Sequence, residues 1–565
     1  MEKIAETIKI AIKNEFDIDV EPAVTIPESQ HGDFSTNIAM QLAKQLGKNP
    51  MEIAEELVRK LESSQVGKFE IAKPGYINIS VSAGWLNDNL NENWSDKYGE
   101  NNDGDGRTVI VEYPSPNIAK PYSVGHLRTG NQGWAARNLM MATGWNVITD
   151  NHIGDYGAPF GIWVVGFERL SSEERLAKGG VYELGRIYIL MKAELAKEEK
   201  RGEDELAKSV QNWLLRLENG DKEALAYHKS FNQISIDHMH NVMERLGIST
   251  DFEYPESFYV ERGKAEVQKL LANGTAIQNP DSSVIVNLDK YGIKTPILLQ
   301  KSNGAALYAT TDCATLLFRE ERWHPDRVIY AVAVEQKFHF EQLFALAQEM
   351  GINTELIHMW FGLIDQIYED GKRERMSSRK GVVLMEELLD KAEATAKQGA
   401  KSDEISDDDI RKIALGAIKF TDFSKDRRTN ILFDWDSMFS LTGFSGPYVQ
   451  YAAVRINKIL KDYQTIEPPN HLTDYDYEPE KIIIKKLIEY PEIIKQSADN
   501  LEPHRVAQYV YDLARVMNRY YENTPIATKD VEESIKLARL DVLAKVSQVF
   551  EHGLKILGIE IPERM

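Results

Sequence analysis

The chain is poor in two things that usually settle a protein's class early. Its 565 residues include one cysteine, Cys313, and no run of eighteen apolar residues. A lone thiol excludes an internal disulfide framework and any zinc site built from several cysteines. Without a long apolar run, nothing reads as membrane-spanning, and no membrane partner is expected. The first residues, MEKIAETIKIAIKNEF, carry acids at helical spacing and lack the apolar core and cleavage site of a secretory signal. Low-complexity stretches and internal repeats are also missing. Together these absences point to a reducing, cytoplasmic setting. Basic residues are in the minority, 67 against 88 acidic, for a net charge of −21. A phosphate backbone rewards clustered cations, so this balance argues against non-specific nucleic-acid binding. It leaves room for one RNA recognised through shape and unstacked bases.

What is present is an ordinary globular composition, 42% hydrophobic and 27% charged. The length suits three or four domains of about 100–200 residues each. Residues 1–105 read as a small α+β domain. NIAMQLAKQLGKNPMEIAEELVRKL is an amphipathic helix pair broken at Gly47 and Pro50, and Tyr76–Ser82 alternates like a half-buried strand. From 106 to 395 the pattern is α/β. RTVIVEYPSPN is a strand running into a loop, a helix follows from about Gly125, and WNVITDNHIGDYG is a second strand and loop. That is the start of a Rossmann-like parallel sheet. Residues from about 160 to 260 read as a charged helical insertion, after which SSVIVNL, TPILLQ and DRVIYAVAV restore strand patterning. Residues 396–565 are almost wholly helical by periodicity and predict a C-terminal all-α bundle.

Two segments carry chemistry. In SPNIAKPYSVGHLRTG, Lys120 precedes Gly125 and His126 at a predicted helix N-terminus. Unpaired backbone N–H groups and the helix dipole favour phosphates there, and a glycine lets a nucleotide approach the backbone. Read alone, Gly-His is a common loop dipeptide. The second segment, KRERMSSRKGVVL, sets Arg375, Arg379 and Lys380 around the hydroxyls of Ser377 and Ser378. A mobile cationic loop of this kind stabilises charge on a departing pyrophosphate. Read alone, it is a solvated basic loop.

Together the two segments resemble the signatures of class I aminoacyl-tRNA synthetases. Ser123-Val124-Gly125-His126 stands where the family has HIGH, and Arg375-Met376-Ser377-Ser378-Arg379 where it has KMSKS. Within the class, SPNIAKP…GHLR resembles the arginyl-tRNA synthetases. The likeness continues through HGDFSTNIAMQLAK, NHIGDYG, SGPYVQYAAVRI and the terminal PERM. Two positions depart from the pattern: Ser123 replaces the first histidine of HIGH, and Ser378 replaces the second lysine of the loop. The resemblance implies that Lys120 supplies the missing cation.

The resemblance implies an ATP-dependent arginine–tRNA ligase, which forms arginyl-adenylate and pyrophosphate and then charges the 3′ end of tRNA(Arg). Its implied catalytic residues are Lys120, His126, Arg375, Ser377, Arg379 and Lys380. Pro116, Ser123, Gly125, His126, Met376 and Ser378 would bind ATP, which arrives with Mg²⁺; no structural metal is expected. For the amino acid, Glu112, Tyr308 and Asp312 would hold the guanidinium, and Asn117 and Gln336 the α-amino and carboxylate ends. A guanidinium calls for carboxylates, since it keeps its charge and presents five fixed donors. Tyr308 and Asp312, four apart, share a helix face; without the resemblance they read as an ordinary hydrogen-bonded pair, and Glu112 as a surface strand residue. Such polar readout also accounts for the lack of an editing-domain signature.

On the RNA side, Tyr448 would stack on an anticodon base with Ala452 leaving it space, and Tyr521 and Met565 would add contacts. Tyrosine and alanine on a helix face are otherwise core residues. The N-terminal domain would touch the tRNA elbow, and the enzyme is expected to be a monomer. Three rivals stand beside this reading. A tRNA-independent nucleotidyltransferase has no use for the helical tail. A non-catalytic tRNA-binding paralogue has only Ser123 in its favour. A cysteinyl enzyme of the same class needs zinc-ligand cysteines that the chain lacks.

Overall fold

The computed structural model describes residues 2–25, 27, 32–64, 66–118, 121–367, 373–375, 384–399, 405–463, 477–526, 528 and 530–565. It divides into two compact units: residues 1–100, 452–493 and 509–552 in one, and 101–451, 494–508 and 553–565 in the other. Among the described residues, no helix is long and apolar enough to cross a membrane.

In the first unit, strands β1 (Val24–Thr25), β2 (Phe34–Thr36), β3 (Gly67–Ala72) and β4 (Tyr76–Val81) form an antiparallel sheet in the order β1-β2-β4-β3. The helix pair falls where Gly47 and Pro50 predict the break. Gly47 ends helix Ile38–Leu46 in the left-handed region at φ 64, and the Asn49 side chain accepts the Met51 amide ahead of helix Pro50–Leu61. Among the described residues, the other elements of this unit are helices. Ile483, Leu487, Val510, Leu513, Val546 and Phe550 are fully buried there. Arg539 and the Tyr520 hydroxyl both donate to Glu480, at 3.0 and 2.6 Å, so this buried carboxylate is paired. Tyr98, in the polar, glycine-bearing stretch that ends this part of the chain, is buried and donates to the Leu487 carbonyl at 2.8 Å.

The second unit is built on β5 (Thr108–Glu112), β6 (Asn146–Asn151) and β7 (Phe252–Glu253). Then come β8 (Ile277–Gln278), β9 (Val284–Leu288) and β10 (Ile293–Gln300), followed by β11 (Arg327–Tyr330) and β12 (Glu355–His358). The central sheet is parallel, in the order β12-β11-β5-β6-β7. Four helices between Ala158 and Leu246 fill the interval from β6 to β7, as the periodicity predicts. Of the three later strand patterns, only β11 joins the parallel sheet, whereas β8–β10 pair antiparallel among themselves. Their valines and leucines share one core with Cys313, which is fully buried and acts as a packing residue. Finally, β13 (Ile364–Ile367) pairs with β14 (Arg373–Arg375) and with β15 (Ile431–Phe433), the one strand described beyond residue 396.

Strand order reverses between β5 and β11: β5 leads on to β6 on one side and is flanked by β11 on the other. In open parallel sheets the crevice at the carboxyl ends of two such strands is where ligands bind. Helix Leu127–Ala142 packs against this end so closely that a Cβ on Gly133 would lie 2.4 Å from Tyr113.

Candidate active site

Two structurally similar segments border the crevice. After β5, a single 3₁₀ turn, Val124–His126, leads into helix Leu127–Ala142; after β11, the turn Val334–Gln336 leads into helix Lys337–Glu349. Both helices aim their positive ends toward the crevice. In the first segment the Ser123 amide donates to His126 Nδ1 at 3.1 Å. An accepting Nδ1 puts the ring proton on Nε2, so His126 presents a donor there. Gly125 is exposed, and a Cβ on it would meet only Ser123 Oγ, at 3.4 Å. That open space suits a nucleotide lying against the backbone.

The second predicted motif lies largely outside the described residues, as do Lys120 and all of Met376, Ser377, Ser378, Arg379 and Lys380. Its flanks are described. Arg375 ends β14, in register with Asp365 of β13, and Leu384 forms an antiparallel bridge with Ser123. The chain therefore leaves the basic loop beside the His126 segment, 261 positions away in sequence by 384 minus 123.

The predicted arginine ligands come from four elements. Glu112 and Asp150 are neighbours in register across β5 and β6. Arg319, on helix Tyr308–Trp323, donates to Glu112 Oε2 at 2.6 Å and to Asp150 Oδ2 at 2.7 Å, with all three side chains buried. Glu112 is thus no surface strand residue, and one of its oxygens is already taken by a guanidinium of the chain itself. Ser115, at φ 45, is held in the left-handed region by its amide donating to Asn151 and its hydroxyl accepting from the His152 amide. Beyond it Asn117 is exposed and hydrogen-bonds Tyr308, and Gly154 bridges to Asn117. Tyr308 opens its helix with Asp312 one turn on, as the spacing predicts. Gln336 is exposed at the end of its 3₁₀ turn.

Around Asp312 the structure adds residues that the motif comparison passes over. His339 Nε2 is 2.6 Å from Asp312 Oδ2, and His152 Nε2 is 3.9 Å from Oδ1. His152 is buried, and neither ring nitrogen has a hydrogen-bond partner among the described residues. Glu256 is buried too. Burial first, then the charges of Asp312 and Asp155, push its carboxyl up to about 9. Asp155 is tied down by Ser257 and Asn232, which donate to it at 2.7–2.9 Å. Glu256, Asp155 and Asp312 thus form an acidic focus under Tyr308. No group of three or more His, Cys, Asp or Glu among the described residues has the geometry to hold a metal ion. The one available sequence signal was NHIGDYG, whose His152 and Asp155 both fall here; nothing local marked Glu256 or His339.

The predicted RNA contacts fall in both units. Tyr448, half-buried, and Met565 belong to the second unit, the one with the parallel sheet. Tyr521 and Ala452 belong to the other, where they line a small hollow with Met517 and Leu543. Arg455 stacks on the Tyr521 ring at 3.7 Å. Ala452 is buried and presents no surface of its own to a base.

Family models match the chain nearly end to end. The catalytic domain of class I (R) tRNA synthetases matches residues 90–435, the DALR anticodon binding domain 449–565, and the arginyl tRNA synthetase N-terminal domain 2–81. An arginine–tRNA ligase of Streptococcus thermophilus is 35% identical over 539 residues, which is 93% of each chain. That of Streptococcus mutans is 35% identical over 95% of this chain and 94% of its own. The arginyl-tRNA synthetase of Thermus thermophilus shares the fold with a TM-score of 0.80 at 23% identity, covering all of both chains. That of Plasmodium falciparum does so at 0.79 and 22% identity, over 100% of this chain and 99% of its own.

Proposed function

The chain belongs to the arginyl-tRNA synthetases of class I, and on that premise we propose how its residues divide the work. The reaction is that of an ATP-dependent arginine–tRNA ligase. The arginine carboxylate attacks the α-phosphate of ATP, pyrophosphate leaves, and the arginyl group passes to the 3′ end of tRNA(Arg). No covalent nucleophile is needed; positioning and charge stabilisation carry the rate.

His126, donating from Nε2, stabilises the phosphate on which charge develops. Ser123, Gly125 and Pro116 line the nucleotide side, and Mg²⁺ arrives with ATP, held largely by phosphate and water. Lys120, Arg375, Ser377, Arg379 and Lys380 supply charge and hydrogen bonds at the pyrophosphate, with Met376 and Ser378 beside the nucleotide; their motif match supports these roles. Asp312 and Tyr308, with Glu256 in addition, seat the guanidinium. Glu112, already engaged by Arg319, shapes the floor of the site. Asn117 and Gln336 take the α-amino and carboxylate ends. Tyr448, Tyr521 and Met565 contact the anticodon arm, and Ala452 makes room behind Tyr521. Residues 1–105 meet the tRNA elbow, 106–395 catalyse with a helical insertion at about 160–260, and 396–565 read the anticodon. The enzyme works as a cytoplasmic monomer.

The observation that carries this reading is the acidic focus of Asp312, Glu256 and Asp155 at the carboxyl end of a parallel sheet, next to a helix start that suits phosphate. The test is arginine-dependent ATP–pyrophosphate exchange with and without tRNA. Exchange that needs arginine and is promoted by tRNA supports the assignment. Complete inactivity with all substrates present would favour a tRNA-binding paralogue.

A further inference from the structure

Asp312 has two carboxylate oxygens, and both face imidazoles: His339 on Oδ2 at 2.6 Å and His152 toward Oδ1 at 3.9 Å. A bidentate guanidinium needs both oxygens, and it brings a full positive charge. An imidazolium at hydrogen-bond distance already supplies such a charge, and two cations cannot share one partly buried carboxylate cheaply. We propose that His339 is a stand-in cation, charged against Asp312 while the amino-acid seat is empty and neutralised when arginine arrives, so that arginine binding expels a proton. The proposal rests on the reading that Asp312 seats the guanidinium.

Charged His339 carries hydrogen on both nitrogens. Nε2 keeps its hydrogen bond to Asp312, so the proton released to solvent comes from Nδ1, and neutral His339 remains a donor that orients the carboxylate. His339 thus acts as a positioning residue in the bound state and as a competitor in the empty one.

The groups facing this pair come from five elements. Asp312 lies on helix Tyr308–Trp323, His152 follows β6, and Glu256, on helix Glu256–Ala272, feels the charge of Asp312 and is itself neutral near neutrality. His358, at the end of β12, is pushed down to about 4, chiefly by burial, and adds no charge near neutrality. On His339's own helix, Lys337 pairs with Glu341 at 4.0 Å. Burial opposes a charge on His339, but the hydrogen bond and charge of Asp312 outweigh it and hold the imidazole above its ordinary range.

Arginine is titrated calorimetrically into the full chain from pH 5.5 to 8.5, in buffers with different heats of ionisation. For the wild type, affinity should fall by up to about tenfold per pH unit on the acid side, with net proton release on binding. H339Q keeps a donor for Asp312 but cannot titrate, so its affinity should lose most of the acid-side slope. A wild-type slope retained in both H339Q and H339N would overturn the proposal. Zero proton release by the wild type at pH 6.5 would do so without any variant. D312N separates this from the underlying reading: if it binds arginine as the wild type does, the guanidinium seat itself is misplaced.

Discussion

Arg319 grips Glu112 from beneath the parallel sheet: Nη2 lies 2.6 Å from Oε2, with 1% and 8% of the two side chains exposed. The same guanidinium holds Asp150, which is fully buried. One cation therefore serves two carboxylates on adjacent strands, and the strand register that places Glu112 opposite Asp150 makes this possible. Removing the cation leaves two buried acids facing one another. Arg319→Met is expected to lower stability by about 3–5 kcal/mol, the usual cost of an uncompensated buried charge. Urea unfolding measures this. Glu112→Gln keeps one partner for Arg319 and should cost less, so equal losses would show that the pair is not the source.

A second buried relationship fixes the helix that starts at His126. Asp422, fully buried, accepts from Arg128 Nε at 2.8 Å, Gln132 at 3.1 Å and Asn131 at 3.2 Å, all on helix Leu127–Ala142. Arg128 Nη1 also reaches the Gly362 and Thr429 carbonyls, at 2.7 and 2.9 Å. This network ties the proposed phosphate end of the crevice to helix Asp407–Asp422. Asp422→Asn should retain the fold but cost about 1–3 kcal/mol in unfolding experiments. In exchange assays it should lower kcat more than it raises the KM for arginine, because the helix start moves while the acidic focus stays. A rise in KM alone would mean that this helix does not position the phosphate.

How much of this was legible beforehand depends on the range of the interactions involved. The break at Gly47 and Pro50, the strands at 76, 108 and 146, and the shared helix face of Tyr308 and Asp312 rest on contacts within a turn or two, and periodicity reports those. The membership of β9 and β10 in a separate antiparallel sheet was less visible. Their burial alternates along each strand, but which strand pairs with which is set by tertiary packing. The acidic focus was legible only in part. Asp312 stood in a motif-like segment, whereas Glu256 and His339 lie 56 residues before it and 27 after it, by subtraction from 312, with nothing local to mark them. Glu112 entered through the resemblance, five residues before Asn117 in VEYPSPN. Its partner, 207 positions on, could be found only from the folded chain.

Glu256 makes stability depend on pH in a direction opposite to most carboxylates. Its folded value is raised to about 9 from 4.5. The neutral form is therefore favoured by folding, and this contribution is complete below the unfolded value and is lost as pH rises from 4.5 through about 9. Glu256→Gln keeps the neutral shape and cannot ionise. At pH 8 without substrate, it should be more stable than the wild type by an amount on the order of a few kcal/mol, with the difference vanishing near pH 4.5. Thermal unfolding across that range checks it, and a constant offset would place the raised value elsewhere.

The same residue predicts how the enzyme refuses citrulline. Citrulline replaces the guanidinium by a neutral urea, whose oxygen would sit where arginine carries an N–H donor. Against ionised Asp312 this loses a charge-assisted pair and leaves buried polar atoms without partners, a combination that can cost a factor of about 10⁴ in kcat/KM. Protonated Glu256, unlike Asp312, can donate to the urea oxygen. Citrulline should therefore be least disfavoured at low pH, where Glu256 stays neutral, and increasingly rejected as pH approaches 9 and the carboxyl ionises. Arginine brings its own donors and charge and does not depend on that proton. The ratio of exchange rates for the two amino acids, measured from pH 6 to 9, should widen in favour of arginine with rising pH in the wild type. In Glu256→Gln, which always offers a donor, the ratio should be smaller and should no longer widen as pH approaches 9. A ratio independent of pH in the wild type would remove Glu256 from the guanidinium seat and leave discrimination to Asp312 and Tyr308.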